Sequence, residues 1–259
     1  MDFLIAAHTD VGIKKKINQD ALLVKTAQTM YGKCCLCVIC DGMGGLDHGE
    51  KASGAVVRAF DRWFCRQLPK VIRTDTASSV FRNQWRAVIG DVHHRLRVYG
   101  QKSSCRLGTT AAVLFMMGSR YFAANIGDSR IYMIRGGLHL LTKDHTFVRY
   151  ETEKGHMTDA QARCHPKRHI LIRCIGASET AVPDFFEGTL SAKTVFMLCS
   201  DGFRHQISQE EFLTHLHPES ISSEKMMEER LVYLTELNKQ RHETDNISSI
   251  LVKTVSEDV

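Results

Sequence analysis

Apolar residues gather in short runs along most of the chain. Those near 3–8, 21–26, 34–40, 110–117, 121–125, 131–134, 185–189, 194–199 and 247–253 read as strands. In each, apolar positions either alternate with polar ones or follow one another unbroken. Gly118-Ser119 and Gly136-Gly137 look like hairpin turns between neighbouring strands. Three longer stretches repeat with a helical period instead. Between 50 and 68 the apolar positions are Val56, Val57, Phe60, Trp63, Phe64 and Leu68. Between 79 and 99 they are Val80, Trp85, Val88, Val92, Leu96 and Tyr99. Between 222 and 241, Met226, Met227, Leu231, Leu234 and Leu237 recur, with Arg230 as a polar interruption. Many strands and a few long helices, without strict alternation, predict an α+β fold rather than a wound parallel sheet.

No internal repeat, low-complexity segment or linker breaks the pattern, so one domain over 1–259 is expected. That length suffices for a single large core. No apolar run reaches the roughly 18 residues of a membrane span, so no membrane insertion is expected. The opening Met1-Asp2-Phe3-Leu4-Ile5 has no basic region and passes straight into a strand, so no secretory signal is expected either. Nine cysteines are an odd number without disulfide-framework spacing, which predicts reduced thiols and a cytoplasmic location. Within 34–40, strand alternation puts Cys35 and Cys37 on one face and Cys34 and Cys40 on the other. One metal could not easily gather all four, and they are expected to serve as small apolar residues.

The net charge of +5 is mild, and no basic stripe interleaved with aromatic residues suggests nucleic acid. Lys14-Lys15-Lys16 suggests a local anion site, with a solvated loop as the alternative for Lys14 and Lys16.

Aspartates change the picture most. Asp41 follows the apolar run Val38-Ile39-Cys40, and Ser200-Asp201 follows 195–199. Asp245 precedes the run Ile250-Leu251-Val252. A fold that brings these strand ends together would cluster carboxylates, and unpaired buried carboxylates repel. A hard divalent cation, magnesium or manganese, resolves that cost.

The ordered set of motifs resembles the metal-dependent protein serine/threonine phosphatases of the protein phosphatase 2C type, in their bacterial form. It runs from Thr9-Asp10-Val11-Gly12 through Asn18-Gln19-Asp20-Ala21 to Cys40-Asp41-Gly42-Met43-Gly44-Gly45 and Gly49-Glu50-Lys51-Ala52-Ser53. It continues with Gly108-Thr109-Thr110, Ala124-Asn125-Ile126-Gly127-Asp128-Ser129-Arg130 and Leu141-Thr142-Lys143-Asp144-His145. His165-Pro166, Ser200-Asp201-Gly202 and Asp245-Asn246 complete it. The resemblance implies a four-layer αββα sandwich, two antiparallel sheets flanked by helices, with the metal site at one end.

It also implies hydrolysis of phosphoserine and phosphothreonine in proteins by a water activated between two divalent cations, manganese or magnesium. Such ions typically sit about 3.5–4 Å apart. Asp41 is expected to bridge them, with the Gly42 carbonyl on one and Asp201 and Asp245 on the other. Asp20 is expected to orient the water, and Asp128 to hold a third cation with Asp201. A turn aspartate is the alternative for Asp128. The glycines after Asp41 would let backbone approach an ion closely. Phosphorylated proteins are the implied partners, with a cognate serine/threonine kinase opposing the enzyme. The other functional class open to the same fold is a non-catalytic phosphoprotein-binding module.

Three positions depart from the family's pattern. Gln19 stands where many relatives have glutamate, which weakens charge at the second metal. Lys15 stands where relatives commonly have arginine. It can bind the substrate phosphate but lacks a bidentate fork, and Lys14 or Lys16 could take its place. Met43 replaces the histidine of animal relatives and cannot act as their general acid. The segment 141–176 resembles the family's flap, a lid within a subdomain of about 141–183. Its His145, His156, His165 and His169 match no standard zinc spacing and are expected to be solvated loop histidines.

Overall fold

The computed structural model describes residues 1–43, 48–73 and 75–256. The strands are β1 (Asp2–Asp10), β2 (Ala21–Thr29), β3 (Gly32–Cys40), β4 (Ala111–Met117) and β5 (Arg120–Ile126), then β6 (Arg130–Ile134), β7 (Leu138–Leu140), β8 (Asp184–Thr189), β9 (Val195–Cys199) and β10 (Ile247–Val255). The helices are α1 (Gly49–Arg66), α2 (Leu68–Val71), α3 (Ser78–Ser103), α4 (Phe147–Glu153), α5 (Asp159–Cys164), α6 (Asp201–Arg204), α7 (Gln209–Leu216) and α8 (Glu224–Gln240).

Sheet one runs β1-β10-β9-β6-β7 and sheet two runs β2-β3-β4-β5-β8. Every strand pairing is antiparallel. Three apolar layers hold the four layers of structure together. Phe196, Leu198, Ile250 and Val252 of sheet one meet Cys35, Cys37, Ile39 and Leu114 of sheet two in the middle. The other face of sheet two carries Cys34, Leu36, Val38 and Phe115 against α1 and α3. The other face of sheet one carries Met197, Cys199 and Leu251 against α7 and α8. An antiparallel strand commonly alternates because one face meets water. Here helices cover that second face, so β3, β4 and β9 read as nearly unbroken apolar runs. The cysteines of β3 divide between the two layers as strand alternation requires, and all nine cysteines are free.

The sequence pattern underspecifies some elements. α3 continues past Tyr99 to Ser103. β7 has three residues, too few for a period to register. α7 carries a legible start signal, the reciprocal Ser208–Glu211 capping box, but has only eight residues. The same device, Thr158 with Gln161, opens α5.

Candidate metal centre

Strand register delivers the aspartates to one end of the sandwich. Ala21 of β2 lies opposite Cys40 of β3, so Asp20 and Asp41 flank the same edge of sheet two. In sheet one, Cys199 of β9 lies opposite Ser249 of β10 and Arg130 of β6. Asp201 leaves that edge, and Asp128 and Asp245 approach it. Thr110 ties the two edges together. Its hydroxyl accepts a 2.9 Å hydrogen bond from the Asp41 amide and shares a 2.7 Å bond with the Ser129 hydroxyl.

The crowding shows in the carboxyl groups. Burial pushes the Asp41 carboxyl well above the usual range, and the charges of Asp20, Asp201, Asp128 and Asp245 push the same way. Burial raises Asp20 to about 7, against hydrogen bonds from Ser248 and Ser200, with Asp201 and Asp245 adding to the rise. Asp128 also rises to about 7, through burial and the Asp201 charge, despite Arg204. Among the described residues, Asp20 Oδ2 and Asp201 Oδ1 are buried without a hydrogen-bond partner. Repelling carboxylates with spare oxygens suit a hard divalent cation, so the residues present fit the metals the family implies.

These protonation shifts set a sign for metal binding. A carboxyl whose folded value is raised stabilises the metal-free fold fully below its unfolded value of about 4, and that stability is lost as pH rises through about 7. Manganese competes with those protons. The rise in melting temperature on adding manganese is therefore expected to be several degrees at pH 8 and near zero at pH 5.5, as scanning fluorimetry in both buffers would show.

Asp41, Asp128, Asp201 and Asp245 line a cavity of about 1120 Å³, which Lys15 also lines. Asp20 is not on that wall. Of the three neighbouring lysines, Lys15 is the one at the cavity, and its Nζ lies 3.1 Å from Asp245 Oδ1. Lys14 and Lys16 are exposed. Met43 lines the same cavity. Gln19 turns its amide toward Glu50.

Gly42 has a packing reason to be glycine. Its N–H donates to the Gln19 carbonyl at 3.1 Å, and an added Cβ would lie 2.5 Å from both the Gln19 and Gly49 carbonyl oxygens. Gly44 and Gly45, also expected to ease approach to an ion, lie outside the described residues. Gly202 is similarly confined, since a Cβ there would sit 2.2 Å from the Asn246 carbonyl oxygen. Gly202→Ala must push the Asp201 turn away from Asp245. Steady-state assays and thermal melts should show at least about a tenfold loss of kcat/KM together with lower stability, since overpacking costs roughly 1–3 kcal/mol.

Sequence reasoning did not show the contacts that hold this arrangement. Asn246 accepts from the Gln19 amide at 2.9 Å and donates to the carbonyls of Val11 and Ile17, so it fixes the loop bearing Lys15. The Asp-Asn pair was visible as a motif, but only the fold shows what the amide grips. Arg204 lies 3.6 Å from Asp128 and 3.9 Å from Asp144, and Arg130 clasps Asp144 through two hydrogen bonds. His205 sits between Glu243 and Asp201, at 3.3 and 3.6 Å.

The four histidines expected to be solvated differ from one another. His145 is buried, accepts the Gly127 amide at Nδ1 and pairs with Asp184 through Nε2, so it braces the turn before Asp128. That corrects the expectation, because its ring replaces solvent with two specific partners. His156 pairs with Glu151, and the His165 ring packs near Phe147. His169 faces His205.

The sequence profile of the protein phosphatase 2C family matches residues 10–240. Protein phosphatase PhpP of Streptococcus pneumoniae is 30% identical over 261 residues, covering 98% of each chain. The crystal structure of serine/threonine phosphatase Stp1 from Staphylococcus aureus superposes with a TM-score of 0.85 at 28% identity, covering 99% of this chain and 96% of that one. The catalytic domain of the serine/threonine phosphatase PstP, solved in complex with two manganese ions, superposes at 0.76 with 25% identity, covering 98% and 99%.

Proposed function

The chain belongs to the protein phosphatase 2C family, and from that premise we propose that it hydrolyses phosphoserine and phosphothreonine in proteins at the acidic end of the sandwich. The observation that carries this reading is the meeting of Asp41 from sheet two with Asp128, Asp201 and Asp245 from sheet one on one cavity wall. Asp41, Asp201, Asp245 and the Gly42 carbonyl would hold two divalent cations, and Asp128 with Asp201 a third. Those ions, manganese or magnesium, would supply a water of lowered pKa and neutralise charge on the phosphoryl oxygens.

The chain's own groups complete the reaction. Asp20 lies off the cavity wall with one oxygen unpartnered among the described residues, suited to accept a hydrogen bond and so orient the attacking water. Lys15 would release Asp245 and bind a phosphoryl oxygen. Met43 offers no proton, so the leaving serine or threonine oxygen takes its proton from water or another group. The phosphorylated substrates imply a serine/threonine kinase as the opposing enzyme, and both would act in the cytoplasm.

The test is phosphate release from a phosphothreonine peptide, with manganese and with chelator. Release that needs manganese supports the reading. No release from folded protein that demonstrably binds manganese would sink it and favour a phosphoprotein-binding module. Within an active enzyme, Lys15→Arg is expected to lower KM for the peptide about fivefold with kcat nearly unchanged, because a bidentate fork adds roughly 1 kcal/mol of uniform binding. Initial-rate kinetics on both proteins would measure it.

A further inference from the structure

We propose that His169, Asp201 and His205 form a binding site for zinc or a similar borderline transition-metal ion, adjoining the oxygen-lined centre and sharing one carboxylate with it. Four observations converge on these side chains. Asp201 and His205 are four residues apart at α6, a spacing that puts both on one face, and Asp201 Oδ2 lies 3.6 Å from His205 Nε2. His169 arrives from the separate segment between β7 and β8. One ligand atom from each of the three residues falls within 4.8 Å of the others. The two imidazole rings stand nearly perpendicular, with centroids 5.4 Å apart.

The fourth observation is the support behind His205. Its Nδ1 lies 3.3 Å from Oε2 of buried Glu243, while Glu243 Oε1 accepts the amides of Thr244 and Asp245 at 2.7 and 3.0 Å. A carboxylate fixed behind one ring nitrogen, with the other nitrogen facing a further ligand, is the arrangement that orients metal-binding histidines. Neutralising Asp201 would need His205 alone and gives no reason for a second imidazole. Two nitrogen donors also change the preference. They suit zinc, whereas the neighbouring all-oxygen cluster suits magnesium or manganese. His169 is exposed, leaving a coordination position open to water.

Occupancy would have two effects. It would tie the 141–183 segment to α6 across the cavity, and it would compete with the oxygen-lined centre for the shared Asp201 carboxylate. The second effect rests on the phosphatase reading, and it makes zinc an inhibitor of manganese-dependent hydrolysis.

The experiment titrates the full chain, saturated with magnesium, with zinc against a chromophoric chelator. The expected result is one zinc bound per chain, at least tenfold more weakly in His169→Ala. That substitution is on an exposed side chain and leaves the core intact. A Cys65→Ser/Cys164→Ser protein, lacking the exposed thiols, is expected to bind zinc as the unsubstituted chain does. Absence of zinc binding, equal affinity in His169→Ala, or loss of binding with the thiols would each overturn the proposal. A parallel assay of peptide hydrolysis in manganese is expected to show zinc inhibition whose midpoint rises at least tenfold in His169→Ala. If hydrolysis itself is absent, the phosphatase reading fails while the zinc titration still decides this one.

Discussion

Asp41→Asn is expected to abolish manganese-dependent peptide hydrolysis while raising the melting temperature of the metal-free protein. The loss of activity follows from position. Asp41 leaves the end of β3, its amide is pinned by Thr110, and its carboxylate faces those of sheet one. An amide retains shape but removes the charge that would hold a cation between the sheets. A fall of at least about 1,000-fold in kcat/KM is expected, or about 4 kcal/mol of transition-state stabilisation.

The gain in stability follows from the same electrostatics. Burial and four neighbouring carboxylates disfavour the charged form in the fold, while the unfolded chain ionises freely above about pH 4. Asp41 therefore costs the metal-free protein more stability as pH rises toward its folded value, and asparagine removes that cost. A rise of about 1 kcal/mol, or roughly 2–4 °C, is expected at pH 7.5. Added manganese should stabilise the variant far less than the parent. Thermal melts with and without metal, beside initial rates, measure both effects. A metal-free variant that melts lower would show that Asp41 is stabilised by its neighbours and would remove the electrostatic argument for a cation.

Trp63→Ala is expected to cause the largest loss of stability. Trp63 is fully buried in α1, between α3 and the outer face of sheet two. Its ring makes edge contacts with Phe81, Trp85 and Phe115 at centroid distances of 6.3, 5.5 and 5.8 Å. Its Nε1 donates to Gln84 Oε1 at 2.7 Å. Truncation removes that packing, opens a cavity among large rings and leaves the Gln84 amide without its donor. The expected cost is about 3–5 kcal/mol, which lowers the melting temperature by roughly 6–20 °C. Trp63→Phe keeps an aromatic contact and is expected to cost less than half as much. Calorimetry on the three proteins would rank them. Activity well below the melting point should change little, because the cluster lies a layer away from the aspartates. A Trp63→Ala protein as stable as its parent would mean that the rings collapse into the space without penalty.

How far the sequence was legible depended on whether the information was local. The strands containing Val38-Ile39-Cys40 and Phe196-Met197-Leu198 are dense apolar runs, and α1 repeats its apolar face over several turns, so both announce themselves. β7 and α6, with three and four residues, carry too few positions for any period. Asp41, Asp201 and Asp245 were conspicuous because each stands beside such a run. Arg204 and Glu243 were not, because a single polar residue in a chain does not reveal what it touches. His145 shows the same limit from the other side. Its place in a polar segment suggested solvent, yet the fold closes over it and supplies Asp184 and the Gly127 amide.

Sequence by itself determined the longer strands and helices, the antiparallel sandwich through its family pattern, and the supply of aspartates at strand ends, because each is written in neighbouring residues. Only the tertiary structure decided which of three lysines reaches the cavity, why Gly42 and Gly202 must lack a Cβ, and that His169 meets His205 and Asp201. Those facts arise where segments far apart in the chain approach within a few ångströms. Steric fit and electrostatic coupling depend on that separation, not on the order of residues.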